Sequence, residues 1–243
     1  MLIINADDFG QNRLATDRIL AGFRHGSVTS TSAMVFMEDS ERAAGLANEA
    51  GLDTGLHLNF TQRFTGPIRN SRVAEQQGEI AGFLGKNKFA QLIYHPGLRK
   101  QFRYVFEVQL EEFQRCFGKC PSHFDGHHHM HLCTNMLFDS IIPAGQKVRR
   151  SFTFFPGQKG RINNAYRWFV DKWIRRQHRT TDYLFALPDC IRFNEFDRVV
   201  ALANQTTVEL ETHPENPDDL EWLMGDRFQQ FLKQVKTGTY TAL

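Results

Sequence analysis

Residues 123–131 read His-Phe-Asp-Gly-His-His-His-Met-His. Neutral imidazole is the commonest protein ligand for zinc-like ions, and the carboxylate in the same run adds a hard oxygen donor. On a β-strand successive side chains point to opposite faces. With that period His123, Asp125, His127, His129 and His131 share one face, while Phe124, Gly126, His128 and Met130 share the other. The pattern predicts a strand with one metal-capable face; the plainer alternative is a histidine-rich surface strand. A catalytic metal site takes about three protein ligands and an open position. The remaining donors must therefore come from elsewhere in the chain.

Asp7 and Asp8 follow the apolar run at residues 2–6 and precede Phe9-Gly10. Two carboxylates beside a cation can divide the labour, one ligating and the other taking a proton from water. Adjacent residues of a regular strand face opposite ways, so both reach one site only where the strand ends or bends. Phe9-Gly10 permits that bend. His57 sits in Gly55-Leu56-His57-Leu58, where a hydrogen-bonded core histidine is the competing reading. His213 precedes Pro214, which stops the strand before it and fixes the turn.

The elements that must position these groups alternate along the chain. Apolar and β-branched runs predict strands at 2–6, 27–36, 54–60, 123–131, 148–154, 182–187 and 206–211. Helical spacing predicts helices at 13–25, 40–49, 100–118, 135–146, 163–178 and 195–204, and a last one from 217 to near 238. Residues 62–99 read as an elaborated loop with a short helix. About seven strands alternating with helices predict a parallel α/β fold, a barrel or open barrel, as one domain over residues 1–243. In such folds functional groups gather at the C-terminal ends of the strands. Asp7, Asp8, His57, Asp125, the histidines, Arg149 and His213 all fall there.

The chain has 243 residues, 41% hydrophobic and 23% charged, with a net charge of +2. That is ordinary soluble composition and gives no reason to expect a nucleic-acid partner. The 22 phenylalanines exceed what a core needs, so some should line a cleft. Cys116, Cys120, Cys133 and Cys190 form no C-x-x-C pair, so neither a zinc ribbon nor a redox motif is signalled. No secretory leader and no transmembrane run is read, and the expectation is a cytoplasmic enzyme; self-association is left open. Residues 157–181 hold Lys159, Arg161, Arg167, Lys172, Arg175, Arg176 and Arg179 against Asp171 alone, with Trp168 and Trp173 interleaved. A solvated helix is the plain reading. The alternative is a peripheral contact with an anionic lipid or membrane face, or with a phosphorylated substrate.

Taken in order, Asn5-Ala6-Asp7-Asp8-Phe9-Gly10, Val28-Thr29-Ser30-Thr31-Ser32-Ala33-Met34, Gly55-Leu56-His57-Leu58, residues 121–131 and Thr212-His213-Pro214 resemble the successive motifs of the YdjC/ChbG-like carbohydrate deacetylases. The resemblance implies a seven-stranded barrel-like fold of the glycoside hydrolase/deacetylase type. It implies metal-dependent removal of an acetyl group from an N-acetylated sugar. It also implies metal ligation by Asp8, His57 and His127, with Asp7 as base and His213 as proton donor. Beside it, Asp125, His129 and His131 suit the orienting of imidazoles, and Arg149 the steadying of a carboxylate or a sugar hydroxyl. One carboxylate and two imidazoles suit Zn²⁺, and also Mg²⁺, Mn²⁺ or Co²⁺ with extra waters. A phosphoesterase or amidohydrolase using the same ligands, and a non-catalytic sugar-binding relative, are the competing functions.

Overall fold

An unbroken apolar run suits a strand covered on both faces, and β1 (Leu2–Phe9) is buried along its whole length. The computed structural model describes residues 1–68, 70–155 and 157–243. After β1 come α1 (Arg13–Arg24), β2 (Ser30–Ala33), α2 (Ser40–Ala50), β3 (Asp53–Leu58), α3 (Ser71–Leu84), α4 (Arg99–Phe117) and β4 (Phe124–Gly126). Then follow α5 (Thr134–Phe138), α6 (Arg161–Ile174), β5 (Tyr183–Ala186), α7 (Leu187–Phe193), α8 (Phe196–Ala203), β6 (Val208–Thr212), α9 (Pro217–Met224) and α10 (Asp226–Leu232). The six strands form one parallel sheet in the order β4-β3-β2-β1-β6-β5. It curls, with helices outside, into a partial barrel.

The expected strand at 148–154 joins no ladder. Isolated parallel bridges pair Phe124 with Val148 and Lys147 with Arg179, and Thr153 N donates to Leu184 O at 2.8 Å. This irregular segment spans the gap between β4 and β5. Its backbone is diverted: Ser151 N and Oγ both donate to Asp171 Oδ1 at 2.9 Å, where a neighbouring strand would otherwise be.

Residues 62–99 hold a helix of 14 residues, longer than the short helix expected within a loop. Asn70 caps α3 by accepting from Arg72 N, and Val73, Gln77, Ile80 and Leu84 form its buried stripe. Gln77 hides that stripe from a hydropathy reading, because its amide is buried by donating to Gln62 O. The helix expected to 146 stops at Phe138, since Ser140 takes a left-handed conformation and Pro143 follows. The C-terminal helix divides at Gly225 into α9 and α10.

The N-terminal end of the barrel is sealed by the C-terminal tail. Tyr240 is fully buried, stacks on His123 with ring centroids 3.7 Å apart, and donates its hydroxyl to Glu209. Gly55 leaves room for that stack, since a Cβ there would lie 2.3, 2.4 and 2.6 Å from atoms of the His123 ring. Gly55→Ala should therefore lower stability by about 1–3 kcal/mol, the usual cost of overpacking. Urea unfolding checks this, with the midpoint falling and the slope unchanged; an unshifted midpoint would mean that the ring has room to move.

Candidate active site

Two neighbouring carboxylates reach one site because β1 is bulged where they sit. Its register with β2 shifts between Ala6 and Phe9, and Asp8 adopts φ 69°. A bulge re-aims a side chain by breaking the period of two, so the strand carries both acids without ending before Phe9. Asp8 Oδ1 lies 2.9 Å from His127 Nδ1 and 3.3 Å from His57 Nε2. Asp8, His57 and His127 each offer a ligand atom, all within 4.8 Å of one another. The other nitrogen of His57, Nδ1, donates to Asp125 Oδ1 at 2.9 Å. That bond orients the ring and leaves Nε2 directed at Asp8, the arrangement in which a carboxylate supports a metal-binding imidazole.

The strand expected across 123–131 ends at Gly126. From His127 to Leu132 the backbone is helical and kinked, with His128 and His129 left-handed at φ 54° and 57°. The period-two reading therefore holds for His123 and Asp125 and fails beyond them. The turn sends the imidazoles to separate tasks. His127 meets Asp8; His128 Nδ1 faces Thr61 Oγ1 at 3.0 Å; His129 Nε2 lies 3.5 Å from Glu211 Oε1. His131 Nε2 donates to the carbonyl of Arg149 at 3.1 Å and so braces that residue's backbone.

Arg149 is fully buried and organises the floor of the site. It holds Asp7 with two bonds of 2.6 and 2.7 Å, contacts Asp125 Oδ2 at 3.0 Å, and donates through Nε to Glu209 Oε1 at 2.8 Å. Burial opposes ionisation of Asp7, but the guanidinium and the nearby His57 and His213 outweigh it and hold this carboxyl well below the usual range. Burial also opposes Asp8, and bonds from His127 and His57 bring it below the ordinary value. For His57 burial works against the charged form, yet Asp125, Asp7 and Asp8 raise it well above a free imidazole. A bound cation would compete for that proton's place.

Three buried groups here went unmarked in the sequence. Glu209 and Glu211 alternate with Val208 and Leu210 on β6, and acids at i and i+2 on a strand buried along both faces were the available signal. Tyr240 gave none. Burial pushes Glu209 up to about 7. Burial and the Asp7 charge push Glu211 well above the ordinary value.

His213 stands at the rim, its side chain 45% exposed, with Nε2 4.0 Å from both Asp7 Oδ2 and Asp8 Oδ2. Its backbone is fixed by Asp219, whose carboxylate accepts from His213 N at 2.9 Å and Thr212 Oγ1 at 3.0 Å. Asn216 caps α9 directly behind it. On the opposite flank Phe152 packs edge-on to His129, with ring centroids 4.5 Å apart. Phe152 and Phe154 also line a cleft of about 580 Å³ against Arg167, Trp168 and Lys172 of α6.

This is a parallel α/β, barrel-like protein that gathers one carboxylate and two imidazoles at the C-terminal ends of its strands, with a second carboxylate and a third imidazole beside them. The chain belongs to the YdjC-like protein family, whose family model matches residues 1–234. A human carbohydrate deacetylase is 30% identical over 89% of this chain and 75% of its own, and a mouse carbohydrate deacetylase is 29% identical over 89% and 78%. A chitooligosaccharide deacetylase of Proteus mirabilis is 36% identical over 59% of this chain and 53% of its own. In fold, a solved Enterococcus faecalis protein described as a candidate cellobiose-phosphate cleavage protein superposes with a TM-score of 0.69, covering 99% of this chain and 97% of that one at 18% identity. Among the described residues no helix is long and apolar enough to cross a membrane.

The raised Glu209 makes a pH prediction. A carboxyl whose folded pKa exceeds its unfolded value stabilises fully below the unfolded value, and this contribution is lost as pH rises through the folded one. For Glu209 that window runs from 4.5 to about 7. Glu211 acts in the same direction. Glu209→Gln should flatten the fall in unfolding free energy across this window, measured by denaturant titration at several pH values. An unchanged slope would show that Glu209 titrates as an ordinary carboxyl.

Proposed function

We propose that this protein is a metal-dependent hydrolase that removes the acetyl group from an N-acetylated sugar, in an N-acetylglucosamine-containing oligosaccharide or glycolipid. The observation that carries this reading is the joint placement of Asp8, His57 and His127 around one point, with Asp7 and His213 flanking it. The carbohydrate and chitooligosaccharide deacetylase relatives support the substrate class.

The donor set fits a divalent ion. Zn²⁺ takes one carboxylate and two imidazoles readily; Mg²⁺, Mn²⁺ and Co²⁺ take the same donors when water completes the coordination. When bound, such an ion supplies Lewis-acid polarisation of the acetyl carbonyl and of the attacking water. The chain's own residues do the rest. Asp7 accepts a proton from the water; its two bonds to Arg149 fix the carboxylate's direction and keep it ionised at working pH, although they make it a weaker base. His213 protonates the departing sugar nitrogen, which leaves poorly as an anion. Asp125 keeps His57 in the ligating tautomer, and Arg149 restrains Asp7 and Asp125 together.

Acetate release across N-acetylglucosamine, chitooligosaccharides and lipid-linked acetylglucosamines, with and without chelator, is the test. Release should stop with chelator. His127→Ala should lose ion and activity together, whereas Asp7→Asn should keep the ion by elemental analysis and lose most turnover. Phosphate release without acetate would instead make this a phosphoesterase. Sugar binding by metal-replete protein that never yields acetate would make it a binding protein.

His213 gives a separate prediction. His213→Ala should lose roughly 10²–10⁴-fold in rate on the amide, retain the ion, and lose less on an activated acetyl ester, whose leaving group needs no proton. Equal losses on both substrates would assign the proton to another group.

A further inference from the structure

Helix α6 is apolar on two sides. Its inner face sends Val170 and Ile174 into the core. Ile162, Tyr166, Phe169 and Trp173 recur at i, i+4, i+7 and i+11, the spacing of a single helix stripe. That stripe faces outward for most of its length: Ile162 is 89% exposed and Phe169 48%, with Trp168 beside them at 62%. The stripe also continues off the helix. Ring centroids are 6.0 Å apart for Phe169 and Trp173, and 5.3 Å for Trp173 and the exposed Phe138. Single exposed apolar side chains are ordinary, whereas a contiguous run marks a surface that meets something.

The charges around the stripe identify the partner. Arg150 pairs with Asp171 and Arg175 with Asp182. Among the described residues Lys159, Arg161, Arg167, Lys172 and Arg176 make no such pair. Aromatic rings stand where acids would: Lys172 lies 4.8 Å from the Trp168 ring centroid and Arg176 5.8 Å from that of Trp173. Asp171, the acid of α6, is buried against Arg150 and Ser151. A solvated helix normally balances its cations with acids one turn away. Here the outer surface is aromatic and cationic together, the composition of helices that lie in the plane of a lipid interface. A second copy of the chain would set uncompensated cations against their own kind, which opposes association. Anionic headgroups neutralise the cations while the interface takes the rings.

We propose that the outer face of α6, continued by Phe138, is a peripheral docking surface for an anionic lipid bilayer. The proposal goes beyond the hydrolytic reading and does not depend on it.

The test is co-sedimentation of the full chain with vesicles of phosphatidylcholine alone and of phosphatidylcholine mixed with phosphatidylglycerol. The protein should pellet with the mixed vesicles, not with the neutral ones, and less so as salt is raised. Tryptophan emission should shift to the blue on binding. A basic residue near an anionic surface strengthens binding about fivefold, so Arg161→Gln/Lys172→Gln/Arg176→Gln should weaken partitioning roughly 100-fold. Ile162→Ser/Phe169→Ser should abolish the blue shift; thermal melts of both variants establish that they fold. No pelleting with the anionic vesicles, or pelleting that both variants preserve, overturns the proposal. So does sedimentation velocity showing a dimer that Ile162→Ser/Phe169→Ser converts to monomer, because the stripe would then be covered by a second copy.

Discussion

Arg149 is fully buried with Asp7 on two of its bonds, Asp125 at 3.0 Å and Glu209 at 2.8 Å. A guanidinium stays charged in a protein interior, and an unpaired buried charge costs several kcal/mol. One cation cannot neutralise Asp7, Asp125, Glu209 and Glu211 together. The cluster resolves this by sorting its acids. Asp7 and Asp125 are held below the usual range by Arg149 and His57, against the opposing effect of burial. Glu209 and Glu211 are pushed the other way, by burial first. Two carboxylates thus remain ionised beside two positive groups, while the other two keep their protons to higher pH. Breaking this arrangement would disturb Asp7 and, through Asp125, the orientation of His57.

Backbone strain accompanies the charge sorting. Asp8, His128 and His129 all have positive φ, a conformation that costs residues other than glycine about 1–3 kcal/mol. At Asp8 the return is visible, because the bulge presents a second carboxylate on the face that already holds Asp7. At His128 and His129 the turn lets His127 meet Asp8 while His131 braces Arg149 from behind. A regular strand would have stacked the histidines along one line and could not have divided them between the candidate ion site and the floor beneath it.

Much of this was legible from residue types. Apolar runs ending in acids or imidazoles located β1, β3 and β6 and set Asp8, His57 and His213 at their C-terminal ends. The irregular features were not legible, because local sequence codes them weakly. The period of two cannot reveal that Gly126 closes β4, since left-handed histidines look like strand histidines until the fold pins them. Gln77 reads as polar, yet its amide finds a buried carbonyl, so α3 is longer than the short helix expected. The segment at 148–154 has strand composition, but Asp171 captures the Ser151 backbone N–H that a ladder would use. Glu209 and Glu211 went unmarked because their partner, Arg149, lies some sixty residues away in the chain.

The closed N-terminal end decides how the site can be approached. Tyr240 stacks on His123 and bonds Glu209, and Lys147 Nζ ties the tail down by donating to Thr241 O at 2.8 Å. Exposure then rises in one direction, from Glu209 and Arg149 at the floor, through Asp7 and Asp8, to His127 and finally His213. Electrostatic interactions weaken along the same path as the surroundings become more water-like. Asp7, deep in the cluster, sits where a paired charge is held most firmly. His213, at the rim, sits where solvent reaches its imidazole. The fold thus grades one set of side chains from a firmly paired carboxylate to an imidazole open to solvent 4.0 Å away, so the proposed base and acid differ in surroundings because they differ in depth.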